Sequence, residues 1–345
     1  MKRTLAVLLL TIALGVAGLV VFGGPTLRTT TYRPVRLDVL TVAVVVVSLL
    51  TQWIVPLFRL RFLAAVHGYR VPRLHAAMAH VAMVFGSAVT PGGSGGAPAL
   101  AAALAHVGVP LGTSMGVAMQ VAVLDLVLFA WLIPVALITR AAVGSLAVPW
   151  QVGAAGIAAV AVAVALAMAL VRLPRPIVAA VLALTRVRAL RRWAPRLRAL
   201  ARSYYRAART FADLGLGAWS YLQTLTLAAW LASFVMLWGL MRAFGQDAGL
   251  LDVVTSMSIV TLVSFFVPTP GAAGFTEAAV SLTAATAPLV WWRLGNFYLA
   301  YVLAPLAAWG LWRRPPVAAI RVGVASPRVT AEATAGRPRD GSTRP

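Results

Sequence analysis

The chain has 345 residues, 61% of them hydrophobic and only 11% charged, with a mean hydropathy of +0.88; soluble domains run near roughly 45–50% apolar and about 25% charged, so a water-soluble fold is excluded. There is no cysteine, and the four histidines, His67, His75, His80 and His106, include no i,i+4 ligand pair, which excludes thiolate chemistry and leaves no metal or other cofactor to expect. The net charge of +22 lies in arginines placed between apolar runs and in the tail, a membrane-orientation pattern and not a nucleic-acid surface.

Lys2 and Arg3 precede an apolar run from Leu5 to Phe22 that is long and lacks an Ala-x-Ala site, so it reads as an uncleaved first helix. Stretches of about 20 residues, enough to cross a bilayer, run roughly 4–23, 37–57, 111–139, 149–171, 218–241 and 291–312. Two more, 74–107 and 252–290, are interrupted by glycine and proline. Arg59, Arg61, Arg70 and Arg73 mark one cytoplasmic loop, and residues 172–209 carry eleven arginines with no acid until Asp213. Arg313, Arg314, Arg321 and Arg328 open a cytoplasmic tail, whereas Arg28, Arg33 and Arg36 in the loop 23–36 run against the pattern. The reading is a multi-pass protein of the cytoplasmic (inner) cell membrane with both termini cytoplasmic.

Between the cytoplasmic segments 58–73 and 172–209, the spans 111–139 and 149–171 already make one exit and one return. The stretch 74–107 must then begin and end inside. By the same count 252–290 begins and ends outside, each being a re-entrant hairpin or a tight pair of spans. The fold class is therefore all-α: a polytopic helix bundle with two broken hairpins in an inverted-repeat arrangement, their tips meeting near mid-membrane. Residues 1–322 form the membrane domain, with halves at 37–171 and 218–312 and a basic linker at 172–214. Within that linker, Arg186 to Arg209 alternate with Leu190, Trp193, Leu197, Leu200 and Tyr204 at near-helical spacing, as an interfacial helix on anionic lipid would. Residues 323–345, rich in Pro, Gly, Ser, Thr and Arg, read as disordered.

The breaks are the candidate site. Bare backbone at bilayer depth is tolerated only where protein or a watery cavity surrounds it. In the first break Pro91, Gly92, Gly93, Ser94, Gly95 and Gly96 are expected to expose backbone N–H groups, with Ser94 as a cap and Pro98 in the first turn of the next helix. A helix N-terminus of this kind suits an anion such as phosphate; close helix packing is the plainer use of such glycines. In the second break Pro270, Gly271 and Gly274 lead to Glu277, a carboxylate at a helix start that could pair with Arg293, meet a headgroup amine or carry a proton. Asp125, alone in its span with Gln120 as a possible neighbour, completes the set, and both acids should face the interior. Asp38 and Asp252 fall near span ends, and Trp53, Trp131, Trp150, Trp219, Trp291, Trp292 and Trp312 fall near borders, which suits an aromatic belt. Valine at Gly95 or Gly274 is expected to block access to the backbone without unfolding the protein.

Thr90-Pro91 through Gly95-Gly96-Ala97-Pro98, followed by a short helix and Val107-Gly108-Val109, resembles the first signature of the lysylphosphatidylglycerol synthase transmembrane family. Pro268-x-Pro270-Gly271-x-x-Gly274-x-x-Glu277 is similar to its second signature, and Trp292-Arg293 with Tyr298 to its last helix. The resemblance covers roughly 37–312 and implies flippase-like lipid handling. Many relatives have a polar or charged residue near Ala97 to Leu100, and some an Arg three residues before the acid of the next helix, where Ala122 precedes Asp125. Nothing in the chain resembles the soluble aminoacyl-transferase domain of longer relatives, so no synthase reaction is expected. Gly92-Gly93-Ser94-Gly95-Gly96 formally fits a serine-nucleophile motif, but no histidine follows His106 to serve it, and no lysine follows a glycine run as a phosphate loop needs. The expected function is translocation of an anionic phospholipid or a polyprenyl-phosphate-type lipid, without catalysis. A channel or transporter for a small solute or ion is the alternative.

Overall fold

The computed structural model describes residues 38–143, part of 157–165, and 174–184, 192–281, 284, 286–313 and 320–321. The expected first helix, the loop 23–36 and the tail from 323 lie outside the described residues, as does most of the span 149–171. Among the described residues the chain is almost entirely helical: α1 (Val39–Val66), α2 (Arg73–Ala88), α3 (Gly96–His106), α4 (Leu111–Ala142), α5 (Pro174–Leu184), α6 (Ala194–Ala212), α7 (Leu216–Ala243), α8 (Leu250–Ser264), α9 (Phe275–Ser281), α10 (Thr286–Arg293) and α11 (Leu299–Arg313). A single π turn, Leu294–Tyr298, joins α10 to α11.

Among the described residues three helices, α1, α4 and α7, are long and apolar enough to cross a membrane. Only 17% of the apolar window of α1 is buried, against 50% in the other two, and its Val39 and Leu40 are largely exposed. A helix this apolar with so little protein cover needs lipid around it. The chain is a membrane protein.

The last helical stretch starts at Thr286, ahead of the expected 291, with Pro288 in its first turn. It is not one continuous α-helix, because the π turn at 294–298 divides it. The turn frees the Gly295 carbonyl to accept from Trp53 Nε1 at 3.0 Å. Trp292 is no belt residue: it is 4% exposed, and its Nε1 donates to the Ser233 carbonyl at 3.0 Å.

The basic linker holds two helices, α5 and α6, that pack on each other. The buried side of α6, Ala194, Ala201, Tyr204, Ala207 and Phe211, packs against α4. Gly112 and Gly116 of α4 make this possible: a Cβ at Gly116 would stand 2.6 Å from Ala207 Cβ, the close approach that a small-xxx-small spacing provides.

A short antiparallel pair, Tyr69–Arg70 (β1) with Ile320–Arg321 (β2), brings the loop after α1 to the segment after α11. These two arginine-bearing segments therefore share one end of the bundle.

Arg59 corrects the loop reading. It lies inside α1, 5% exposed, and its Nη1 donates to Asp125 Oδ1 of α4 at 2.6 Å and to Thr226 Oγ1 of α7 at 3.2 Å. Trp230 of α7 donates to the same Asp125 oxygen at 3.1 Å. A paired charge does not end a helix, so α1 runs on to Val66. Three helices meet at this one carboxylate.

Removing one partner leaves the other charge buried alone. Arg59→Gln or Asp125→Asn should each cost about 3–5 kcal/mol, while Arg59→Met with Asp125→Leu should recover most of it. Thermal unfolding of the purified variants in detergent checks this; an additive double variant would refute the pairing.

Candidate functional site

The two breaks are the same six-residue turn built twice. Thr90-Pro91-Gly92-Gly93-Ser94-Gly95 aligns with Thr269-Pro270-Gly271-Ala272-Ala273-Gly274. Proline removes a donor and disfavours helix in the residue before it, so each preceding helix stops here. In the first turn Gly93 N donates to Thr90 O and Ser94 N to Pro91 O; in the second, Ala272 N donates to Thr269 O and Ala273 N to Pro270 O. The backbone is left-handed at the equivalent positions Gly92 (φ 59) and Gly271 (φ 56), and again at Gly93 (φ 67) and Ala272 (φ 53). Ala272 is the only non-glycine with positive φ among the described residues.

The turns face one another. Pro91 and Pro270 form an antiparallel bridge, with Gly92 N 3.4 Å from Thr269 O. A Cβ on Gly92 would lie 3.7 Å from the Val267 carbonyl, three residues before Pro270, and one on Gly271 would lie 3.3 Å from the Ala88 carbonyl, three residues before Pro91. Each turn thus sits on the end of the helix that leads into the other.

The expected bare N–H groups are not there in the first break. Gly92, Gly93, Ser94 and Gly96 all donate to main-chain carbonyls, and Gly95 N donates to Thr90 Oγ1 at 2.7 Å. Thr90 therefore caps α3 and Ser94 does not, because Thr90 also anchors to Gly86 O at 2.8 Å and so is held in place. Gly95 is enclosed, too: a Cβ there would stand 2.6 Å from Thr90 Cγ2 and 2.7 Å from Gly86 O. Valine at Gly95 would break this packing, so it does not isolate access from folding.

In the second break Gly274 N, equivalent to Gly95 N, donates instead to Glu277 Oε2 at 2.7 Å. The other oxygen, Oε1, lies 2.8 Å from Arg293 Nε. Glu277 is 1% and Arg293 5% exposed. Glu277 thus caps α9 and holds a buried ion pair at once. The Arg293 guanidinium lies over the Phe297 ring, 4.9 Å from its centre, and neither its Nε nor its Nη2 makes a hydrogen bond of good geometry, the 2.8 Å approach to Glu277 being an ion pair. The π turn aims Phe297 at this point, where the ring also packs against Tyr301, and Tyr301 Oη donates to the Ala88 carbonyl at 3.2 Å. The second break therefore presents an arginine with a spare donor beside the paired turns.

The structure thus joins Pro91, Gly92, Pro270, Gly271, Gly274, Glu277 and Arg293 around one point. Asp125 is elsewhere, tied to Arg59 and Trp230. Gln120 is not its neighbour either: its Oε1 accepts from His67 Nε2 at 3.0 Å and its Nε2 donates to Ala207 O at 3.1 Å. Asp252 pairs with Arg140 at 2.9 Å and is half exposed. Sequence reading missed Thr90, Phe297 and Arg59. The repeated Thr-Pro-Gly would have flagged Thr90, and a lone acid in a long apolar span asks for a cation on a neighbouring helix.

Residues 4–313 match the family model described as the lysylphosphatidylglycerol synthase TM region, and the chain belongs to that family. No curated protein and no solved structure matches it.

The paired turns make a graded prediction. Gly93→Ala, whose Cβ would meet only Ser87 at 3.7 Å, should cost about 1–2 kcal/mol for the left-handed backbone. Gly271→Ala should cost at least about twice that, because its Cβ would run into the Phe297 ring as well. Ala272→Gly should be neutral or stabilising by up to about 1 kcal/mol. Melting temperatures decide; equal losses for Gly93→Ala and Gly271→Ala would show that Phe297 does not set the limit.

Proposed function

We propose that this family member translocates an anionic phospholipid or a polyprenyl-phosphate-type lipid, its headgroup passing the joined breaks while its chains stay in the bilayer. The observation that carries this is the bridge between Pro91 and Pro270 beside the buried Glu277–Arg293 pair. A buried ion pair with an unused guanidinium donor costs stability and is a functional candidate inside a membrane. Arg293 would take the phosphate, and Glu277 would offset a positive headgroup or a proton.

The helix lengths support re-entrant hairpins of an inverted repeat. At 1.5 Å per residue, the 16 residues of α2 and the 11 of α3 reach only about 24 and 16 Å against a hydrocarbon core of about 30 Å. The 15 residues of α8 and the 7 of α9 are likewise short, so the tips would meet at depth. Apolar lining favours lipid over a small solute: the cavity of about 240 Å³ at the first break is bordered by Ala97, Pro98, Met115 and Met119. In this reading the protein acts in the cell membrane as a translocase, with no synthase reaction of its own.

Proteoliposomes with fluorescent phosphatidylglycerol or a polyprenyl phosphate in one leaflet test it. Arg293→Gln should slow translocation by about tenfold or more, the loss of roughly one charge-assisted hydrogen bond. Glu277→Gln, which keeps an acceptor for Gly274 N, should change headgroup choice or pH dependence. Folded protein that moves neither lipid but passes an ion or a sugar would replace this reading with solute transport.

A further inference from the structure

At the bundle end that carries β1 and β2, a cleft of about 1080 Å³ opens between the start of α4, the end of α1 and one face of α6. Arg196, Ser203 and Arg206 of α6 line it, opposite Thr113 at the first turn of α4 and His67. The arginines are ten residues apart, about 15 Å along the helix, so they frame an elongated cleft and not a pocket for one ion.

Its electrostatics have one sign. The five arginines of α6 face no acid on that helix, and none of them makes an ion pair among the described residues. Arg196 lies over the exposed Trp193 ring, 4.8 Å from its centre, which holds its charge at the cleft mouth. The first turn of the 32-residue α4 has no side-chain cap, so its positive dipole end adds to the same field. Burial pushes the His67 imidazole below the ordinary histidine range, against the opposing effect of the hydrogen bond it donates to Gln120 Oε1, so at neutral pH the cleft's charge comes from the arginines.

The cleft also adjoins apolar space across Leu200. Leu200 borders both it and the 240 Å³ cavity that runs past Met115 and Tyr204 to Ala97 and Pro98, in the first turn after the first break. A basic mouth backed by an apolar chamber is complementary to an amphiphile with a negative head, and a soluble anion would have no use for the chamber.

We propose that the α4–α6 cleft is a binding site for an anionic phospholipid, with the phosphate between Arg196, Arg206 and the α4 N-terminus and an acyl chain in the chamber beside Met115. Binding here stands whether or not the protein moves lipid; that the site loads the breaks rests on the transport reading.

The test uses the full chain in nanodiscs of phosphatidylcholine and phosphatidylglycerol, released gently and weighed by native mass spectrometry. Wild type should retain phosphatidylglycerol in preference to phosphatidylcholine. Arg196→Gln with Arg206→Gln should cut that retention by about twenty-fivefold, near fivefold per arginine. Arg196→Lys with Arg206→Lys should keep most of it, and so should Arg198→Gln with Arg209→Gln, which removes as much charge from the same helix away from the cleft. Equal loss in both glutamine pairs, no preference in wild type, or release of the lipid by millimolar inorganic phosphate would overturn the proposal. Should the Arg196 and Arg206 variant fail to fold by gel filtration, wild type with a phosphatidylglycerol carrying a diazirine on its acyl chain decides: labelling of α4 near Met115 supports the site, and labelling confined to other helices refutes it. A protein that binds as described but moves no lipid in vesicles overturns only the transport reading.

Discussion

A helix broken inside a bilayer releases N–H and C=O groups that have no water to turn to, and everything around the centre of this molecule follows from how those groups are satisfied. The two breaks satisfy them with the same turn and then with each other. Thr90 O and Thr269 O each accept the first inward bond of their own turn, and Thr269 O also receives Gly92 N from across the bridge. Because each turn rests on the carbonyl end of the other's incoming helix, neither break can be placed without its partner. The glycines at 92 and 271 belong to that constraint: both need a left-handed backbone, and both lie where another chain segment passes closely.

Charge is handled in the same way. Two carboxylates inside the bundle are held by arginines from other helical segments, the partly buried Asp125 by Arg59 and the fully buried Glu277 by Arg293. The two pairs differ in kind. Arg59 and Asp125 share Thr226 and Trp230 with α7, so that pair ties helices together. Glu277 spends one oxygen on the Gly274 N–H of the turn and the other on an arginine that keeps an unused donor. The first is closed on itself, and the second can still accept a ligand.

Much of this was legible in the residues. Apolar run length gave the long helices, and glycine with proline gave both breaks, since these residues act through their own backbone. Helix ends were harder to read. Arg59 looked like a loop marker because its neutralising partner lies 66 positions along the chain. On the linker helix α6, sequence periodicity reveals an apolar face but not what covers it; Gly112 and Gly116 of α4 cover its Tyr204 and Ala207 positions, while Trp193 stays exposed. The bare N–H cradle was also beyond reach, since whether a turn's donors are used depends on Thr90 and on the opposing turn. Only geometry reports that.

The matched backbones carry unmatched side chains, and this difference bears on mechanism. At the first turn the capping group is the neutral Thr90 hydroxyl; at the second it is the charged Glu277 carboxylate, with Arg293 behind it. Two equivalent turns would present the same surroundings on either side of the bridge. Here the field is one-sided, because one turn is neutral and the other holds both charges. Ala272 points the same way. It adopts the left-handed backbone that Gly93 adopts at the equivalent place, at a cost of roughly 1–2 kcal/mol for an L-residue. A strained residue persists where its surroundings over-determine it; Ala272 is buried, its N–H donates to Thr269 O, and its carbonyl accepts from both Thr276 N and Thr276 Oγ1. The second break is thus the charged side of the bridge, and the first is the neutral side that meets it.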